Sequence, residues 1–122
     1  MAIKRYTTGQ RTMTGTSDSA IITQVRGKLL AIFIQTSASN TFWVHTVNST
    51  VNQDLLGATG ARITVAANSV KQPRDKVVDY ANNDGAAGDN LWTPFIIDSD
   101  VQIDVASGTS TDTWTATLYV ED

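Results

Sequence analysis

Apolar and polar residues alternate most cleanly near the C-terminus. Trp114, Ala116, Leu118 and Val120 are interleaved with Thr113, Thr115, Thr117 and Tyr119, and Val101, Ile103 and Val105 with Gln102 and Asp104. A period of two is that of a strand with one buried and one wetter face. The polar turn Ser107–Thr111, which holds Gly108, separates the two segments and predicts an antiparallel hairpin. Phe95–Asp98 predicts a short strand before them. Asn40–Val47 alternates as well, with Phe42, Val44 and Thr46 on one face and Trp43, His45 and Val47 on the other. Ala61–Ala66 predicts a short strand with Ile63 and Val65 on one side, and Val77–Tyr80 another; Pro73 interrupts any ladder between them.

The remaining pattern is less regular. Ser19–Val25 predicts a strand, Arg26-Gly27 a tight turn, and Lys28–Gln35 the returning strand, with Gly27 supplying the positive φ of the turn. Leu29 to Ile34 is apolar at every position, so both faces of that strand need cover: one from the opposite sheet, the other from the N-terminal residues or a neighbouring subunit. Asn48–Gly60 and Ala81–Asn90 are polar loops. Residues 1–18 are polar and Thr-rich, with Ile3, Tyr6 and Met13 as their only anchors, and read as an extended arm or an edge strand. The expected organisation is an N-terminal arm, 1–18, followed by a domain, 19–122. Its predicted fold is all-β, an antiparallel sandwich of about eight short strands, jelly-roll-like. No helical period is present.

Composition strengthens the β reading. Threonine is the commonest residue, valine and isoleucine each outnumber leucine, and Glu121 is the only glutamate beside eleven aspartates. No cysteine is present, which excludes disulfides, thiolate metal sites and cysteine nucleophiles. The net charge of −3 is unevenly spread. Residues 1–28 carry five basic groups and one acid, residues 29–122 four basic groups and eleven acids. An acidic body argues against a broad phosphate-binding face. No apolar run approaches the ~20 residues of a membrane-spanning helix, and the N-terminus lacks the apolar stretch of a signal peptide.

Candidate chemistry is sparse. His45 is the only histidine, sits mid-strand, and is expected as a surface or interface side chain; no G-x-S-x-G elbow, phosphate loop or dinucleotide fingerprint accompanies it. Asp98, Asp100 and Asp104 share a face of a regular strand, a set of oxygens that Ca²⁺ could use. The loop from Tyr80 has Asn82, Asp84 and Gly85 at calcium-loop spacing, but Tyr80 and Leu91 stand where carboxylates are required. Solvated turn aspartates are the default, and no catalytic, cofactor or metal site is expected. Trp114 reads as core, Trp43 as core or interface, and Trp92, at a loop end, as interface or loop anchor. Arg74, fixed behind Pro73, is expected to pair with an acid, Asp79 being nearest.

From Val25 onward an ordered series of patches carries a resemblance. It comprises Val25-Arg26-Gly27-Lys28-Leu29-Leu30-Ala31-Ile32, Pro73-Arg74, Asp79, the loop Gly85-Ala86-Ala87-Gly88, the strand Phe95–Val105, and the closing Leu118-Tyr119-Val120-Glu121. In this order the chain resembles small tailed-phage virion structural proteins, of the kind encoded beside major capsid genes. The resemblance implies a capsid decoration, or cement, protein: non-enzymatic, without cofactor, and trimeric on the outer capsid surface, with assembly in the host cytoplasm. Its partner would be the major capsid protein or another virion protein, with no membrane and no specific nucleic acid involved. A tail or fibre adaptor and a carbohydrate-binding β-sandwich module are the alternatives. Residues 1–18 lie outside the resemblance; their basic charge is expected to help docking. The expected protein-interface residues are Arg5, Tyr6, Arg11, Leu30, Ile32, Trp43 and Trp92.

Overall fold

The structure, a computed structural model, describes residues 2–50, 52–55, 62–67, 69–71 and 96–122. Among the described residues there is no helix. The strands are β1 (Ile3–Thr7), β2 (Arg11–Thr12), β3 (Asp18–Thr36), β4 (Asn40–Val47), β5 (Ile63–Val65), β6 (Ser69–Lys71), β7 (Ile96–Ala106) and β8 (Thr113–Glu121). Their pairings are all antiparallel and join them into one sheet of order β1-β8-β3-β7-β4-β5, with β2 added on β8 and β6 on β3. The all-β class is as expected, and the sheet curls into a half-barrel.

The curl comes from β3. Its first part, Asp18 to Lys28, pairs with β7, and its second, Lys28 to Thr36, pairs with β8. Two bulges bend it, one between Ile22 and Val25 and one between Leu29 and Ala31. At the first, Gln24 takes a positive φ of 53° and its N–H donates to the Asp100 carboxylate at 2.9 Å. The expected reversal at Arg26-Gly27 is therefore corrected: Ser19–Val25 and Lys28–Gln35 belong to one 19-residue strand. Gly27 does have a positive φ, 129°, but serves a close approach instead of a turn. A Cβ there would lie 2.5 Å from the Glu121 carbonyl oxygen and 2.6 Å from Val120 Cγ1. A side chain would hold β8 off β3.

The expected hairpin of the last two strands is also corrected. Both strands exist with the predicted alternation, but β3 lies between them. Residues 107–112 arch from one wall of the curled sheet to the other. The arch needs left-handed backbone at Ser107 (φ 62°) and Thr111 (φ 78°), and it is tied to the N-terminal residues. Gly108 N–H donates to Thr16 O at 3.0 Å, Thr111 N–H to Met13 O at 2.8 Å, and Met13 N–H to Asp112 O at 2.8 Å. Periodicity identifies which residues are buried, but a period of two contains nothing about which strand sits alongside.

The core lies between the two walls. Val25, Leu29, Ile32 and Ile34 of β3 are buried with Phe42 and Val44 of β4, Val101, Ile103 and Val105 of β7, and Trp114, Ala116, Leu118 and Val120 of β8. Phe42 meets Trp114 edge-on across the interior, with ring centroids 5.8 Å apart. Each such aliphatic side chain removed from water contributes about 1.5–3 kcal/mol. On the outer face of β3, Leu30, Ala31 and Phe33 are half-buried, and Phe33 packs edge-on against Tyr119 of the chain's own β8 at 5.5 Å.

Residues 1–18 enter this structure as the sheet's edge. β1 pairs with β8 over its whole length, β2 adds to the same strand, and Met13 is buried in the core. Strand β6 had no signal in the sequence pattern. The expected strand Val77–Tyr80, the loop Ala81–Asn90, Trp92 and the Arg74–Asp79 pair lie outside the described residues.

Candidate functional site

Alternation along the strands sends one set of side chains outward, and these form the surface available to a partner. Reading across the sheet at one end gives Ile3, Glu121, Lys28 and Ile96 in register on β1, β8, β3 and β7. Lys28 Nζ and Glu121 Oε1 pair at 3.0 Å, and the flanking isoleucines are 64% and 65% exposed. Ile21, also outward, is 52% exposed. Three large aliphatic side chains on one side of a small sheet are a partial apolar surface in addition to the core. A charged pair stands beside them on the same face, Arg26 with Asp98 at 3.0 Å.

A second outward cluster gathers on β4, β5 and β7. Trp43 stacks on His45 with centroids 3.8 Å apart, and the Arg62 guanidinium lies 4.4 Å from the centre of the Trp43 ring. Trp43 Nε1 donates to Asp54 Oδ1. His45 Nε2 contacts Asp104 Oδ2 at 2.7 Å, and Gln102 Nε2 donates to Asp104 Oδ1 at 2.7 Å. The other ring nitrogen of His45 contacts its neighbour's carbonyl, Thr46 O, at 3.3 Å. Both imidazole nitrogens thus face oxygen atoms of this chain. Beside this cluster is an open groove of about 590 Å³, lined by Asp18, Thr41, Trp43, Arg62 and Asp104 among others.

The three aspartates considered for a cation are engaged separately. Asp98 takes Arg26, Asp104 takes His45 and Gln102, and Asp100 accepts from Gln24 N–H and from Asn48 Nδ2 at 2.9 Å. Those two hydrogen bonds hold the Asp100 carboxyl below its ordinary value. Among the described residues no group of three or more histidine, aspartate or glutamate side chains is placed to hold a metal ion.

The expected interface residues are dispersed. Arg5 is exposed on β1, outward and in register with Tyr119. Tyr6 is half-buried and packs on the core. Arg11 forks onto Asp18 and lies 5.9 Å from the Trp114 ring centre. Leu30 is half-buried at the second bulge, and Trp43 is half-buried in the outward cluster. Ile32 is fully buried, so its side chain serves the core and is not offered to a partner. Trp92 lies outside the described residues. Sequence reasoning did not single out Arg62, Asp54, Ile21 or Ile96; the outward phase of β7 and β3 was the available signal for the two isoleucines.

No family model matches the chain, and no curated protein or solved structure is significantly similar to it.

Proposed function

We propose that this protein is a non-enzymatic virion structural protein that decorates the outer capsid surface and stabilises the shell as a homo-oligomer, with the major capsid protein as its partner. The observation that carries the reading is the outer face of the curled sheet. Ile3 and Ile96 stand exposed there on either side of the Lys28–Glu121 pair, with the Arg26–Asp98 pair beside them, half-buried Leu30, Phe33 and Tyr119 on the same outer face, and Ile21 exposed farther along β3. Exposed aliphatic side chains interspersed with ion pairs make a mixed surface of the kind a protein partner covers. The curled sheet, with its two walls sharing one long strand, is in this reading the jelly-roll-like body of a cement protein. Several identical contacts made at once let each be modest. The sugar-binding alternative is disfavoured by Trp43, whose ring is already stacked by His45 and Arg62 and so offers less open aromatic surface for a sugar.

The test is electron cryo-microscopy of particles produced with and without this gene, together with the mass of the purified protein by light scattering. Extra density on the outer shell that disappears with the gene, and an oligomeric mass, are expected. A monomer that associates with no particle would overturn the reading.

A further inference from the structure

We propose that the outer edge of β1, which no described strand pairs, docks an extended, acidic segment of a partner protein, which adds to the sheet as a further antiparallel strand with a carboxylate opposite Arg5. Antiparallel partners alternate between residues that exchange backbone hydrogen bonds and residues that do not. Asp122 N–H donates to Ala2 O at 2.9 Å, and Thr8 N–H donates to Ala116 O at 3.0 Å. With Lys4 opposite Val120 and Tyr6 opposite Leu118, the even-numbered residues face β8. Ile3, Arg5 and Thr7 therefore direct their backbone N–H and C=O groups away from the sheet, where no described residue bonds them.

Arg5 adds a preference of charge. Among the described side chains, Lys4, Arg11, Arg26 and Lys28 each have a carboxylate within 3.1 Å, and Arg62 lies on Trp43. Arg5 has neither a carboxylate nor a ring of any described residue against it. In an added strand, the residue opposite Arg5 points to the same outer face, so a Glu or Asp there meets the guanidinium. Two residues further along, the added strand passes Ile3, which is 64% exposed and suits an apolar side chain. The preferred segment is then Thr-x-Glu-x-Ile, read from its N-terminus.

A second copy of this chain fits the edge poorly. Two β1 strands paired antiparallel about their centres would set Arg5 against Arg5. The carboxylates of the described strands are already engaged at home: Asp18 with Arg11, Asp98 with Arg26, Asp100 with Gln24 and Asn48, Asp104 with His45, and Glu121 with Lys28. Basic residues on a free edge discourage pairing with like edges while leaving an acidic strand acceptable. This inference goes beyond the capsid reading and does not depend on it. Peptide binding at β1 without any particle decoration would leave the edge site standing and remove only the capsid.

The probe is the acetylated, amidated peptide Gly-Thr-Thr-Glu-Thr-Ile-Gly, titrated into the full isotopically labelled chain and followed by amide NMR. Shifts are expected at residues 3–7 and at their β8 partners 117–121. Arg5→Ala should weaken binding about threefold, in line with a surface ion pair, and Arg5→Glu about tenfold. Replacing the peptide's Glu by Lys should restore binding to Arg5→Glu. Ile3→Pro removes one outward N–H and no bond to β8, so the fold persists, as its spectrum will show, while binding falls about threefold or more. The proposal is overturned by any of three results. These are no shifts in β1 at peptide concentrations of order 10 mM (the range of weak strand addition), equal binding by Arg5→Glu, or a concentration-dependent dimer that Ile3→Pro abolishes, which would make a second copy the occupant.

Discussion

Replacing Asp18 by alanine should destabilise the protein by about 2–4 kcal/mol, because this one carboxylate joins the N-terminal residues to the core. Arg11 Nε and Nη2 donate to its two oxygens at 3.1 Å each, Trp114 Nε1 donates at 3.0 Å, and Ser19 N–H at 2.9 Å. In the alanine variant the indole N–H of the buried Trp114 has lost its acceptor, which costs about 1–3 kcal/mol. The ion pair, with Asp18 17% and Arg11 39% exposed, adds roughly 0.5–1 kcal/mol. At about 4 °C per kcal/mol for a chain of this size, the midpoint should fall by roughly 8–16 °C. The Arg11 fork holds the Asp18 carboxyl below its ordinary value, helped by Trp114 and Ser19 and opposed by burial. A depressed folded-state value means that the contribution is fully present above the unfolded carboxylate range near ~4 and is lost as pH falls through the lowered value. Urea unfolding, followed by tryptophan fluorescence and circular dichroism from neutral pH to about pH 2, should show the gap between wild type and Asp18→Ala narrowing only below about pH 4, and not closing, because the protonated carboxyl still accepts from Trp114. Asp18→Asn keeps an acceptor and should lose about 1–2 kcal/mol with no acid-dependent convergence. A loss under about 0.5 kcal/mol for Asp18→Ala, the scatter of ordinary surface changes, would refute the reasoning.

Gly108→Ala should cost about 1–3 kcal/mol, since its Cβ would fall 2.5 Å from Asn40 Oδ1 and 2.6 Å from Met13 Cε and both buried side chains would have to move; soluble yield and the thermal midpoint measure it. Met13→Ala should destabilise by about 2–4 kcal/mol through loss of a buried side chain, read by urea unfolding. Removing residues 1–18 strips β1, β2 and Met13 from β8 together, so the truncated chain should have a markedly lower midpoint or be insoluble, and retention of wild-type stability would count against the described pairing.

The sequence revealed the faces of the strands well and their neighbours poorly. Phe42, Val44 and Thr46, then Val101, Ile103 and Val105, then Trp114, Ala116, Leu118 and Val120, are all buried as their alternation predicts. A buried face is a local property, written in every second residue. The reversal assigned to Arg26-Gly27 failed because a positive φ at glycine serves a turn, a bulge or a close approach equally well. The deciding contact, with Glu121 and Val120, comes from almost a hundred positions away in the chain. The same limit explains the misplaced hairpin: whether β3 intervenes between β7 and β8 depends on 19 residues bending at two bulges, and neither bulge has a sequence marker beyond ordinary polar and apolar residues.

The candidate surface shows the complementary case. Reading residues 1–18 as a basic arm counted Lys4 and Arg11 among charges offered to a partner, yet Asp122 and Asp18 already hold them. Net charge along a segment cannot report which charges are spent inside the fold, because ion pairs form between residues brought together by strand register. Pairing β1 with β8 places Lys4 beside the C-terminal Asp122 and leaves Arg5, one residue on, pointing to the opposite face with no carboxylate of the described residues paired to it. Adjacent basic residues on a strand thus acquire different roles from alternation alone: one fastens the edge to the sheet, and the other remains for whatever the edge meets.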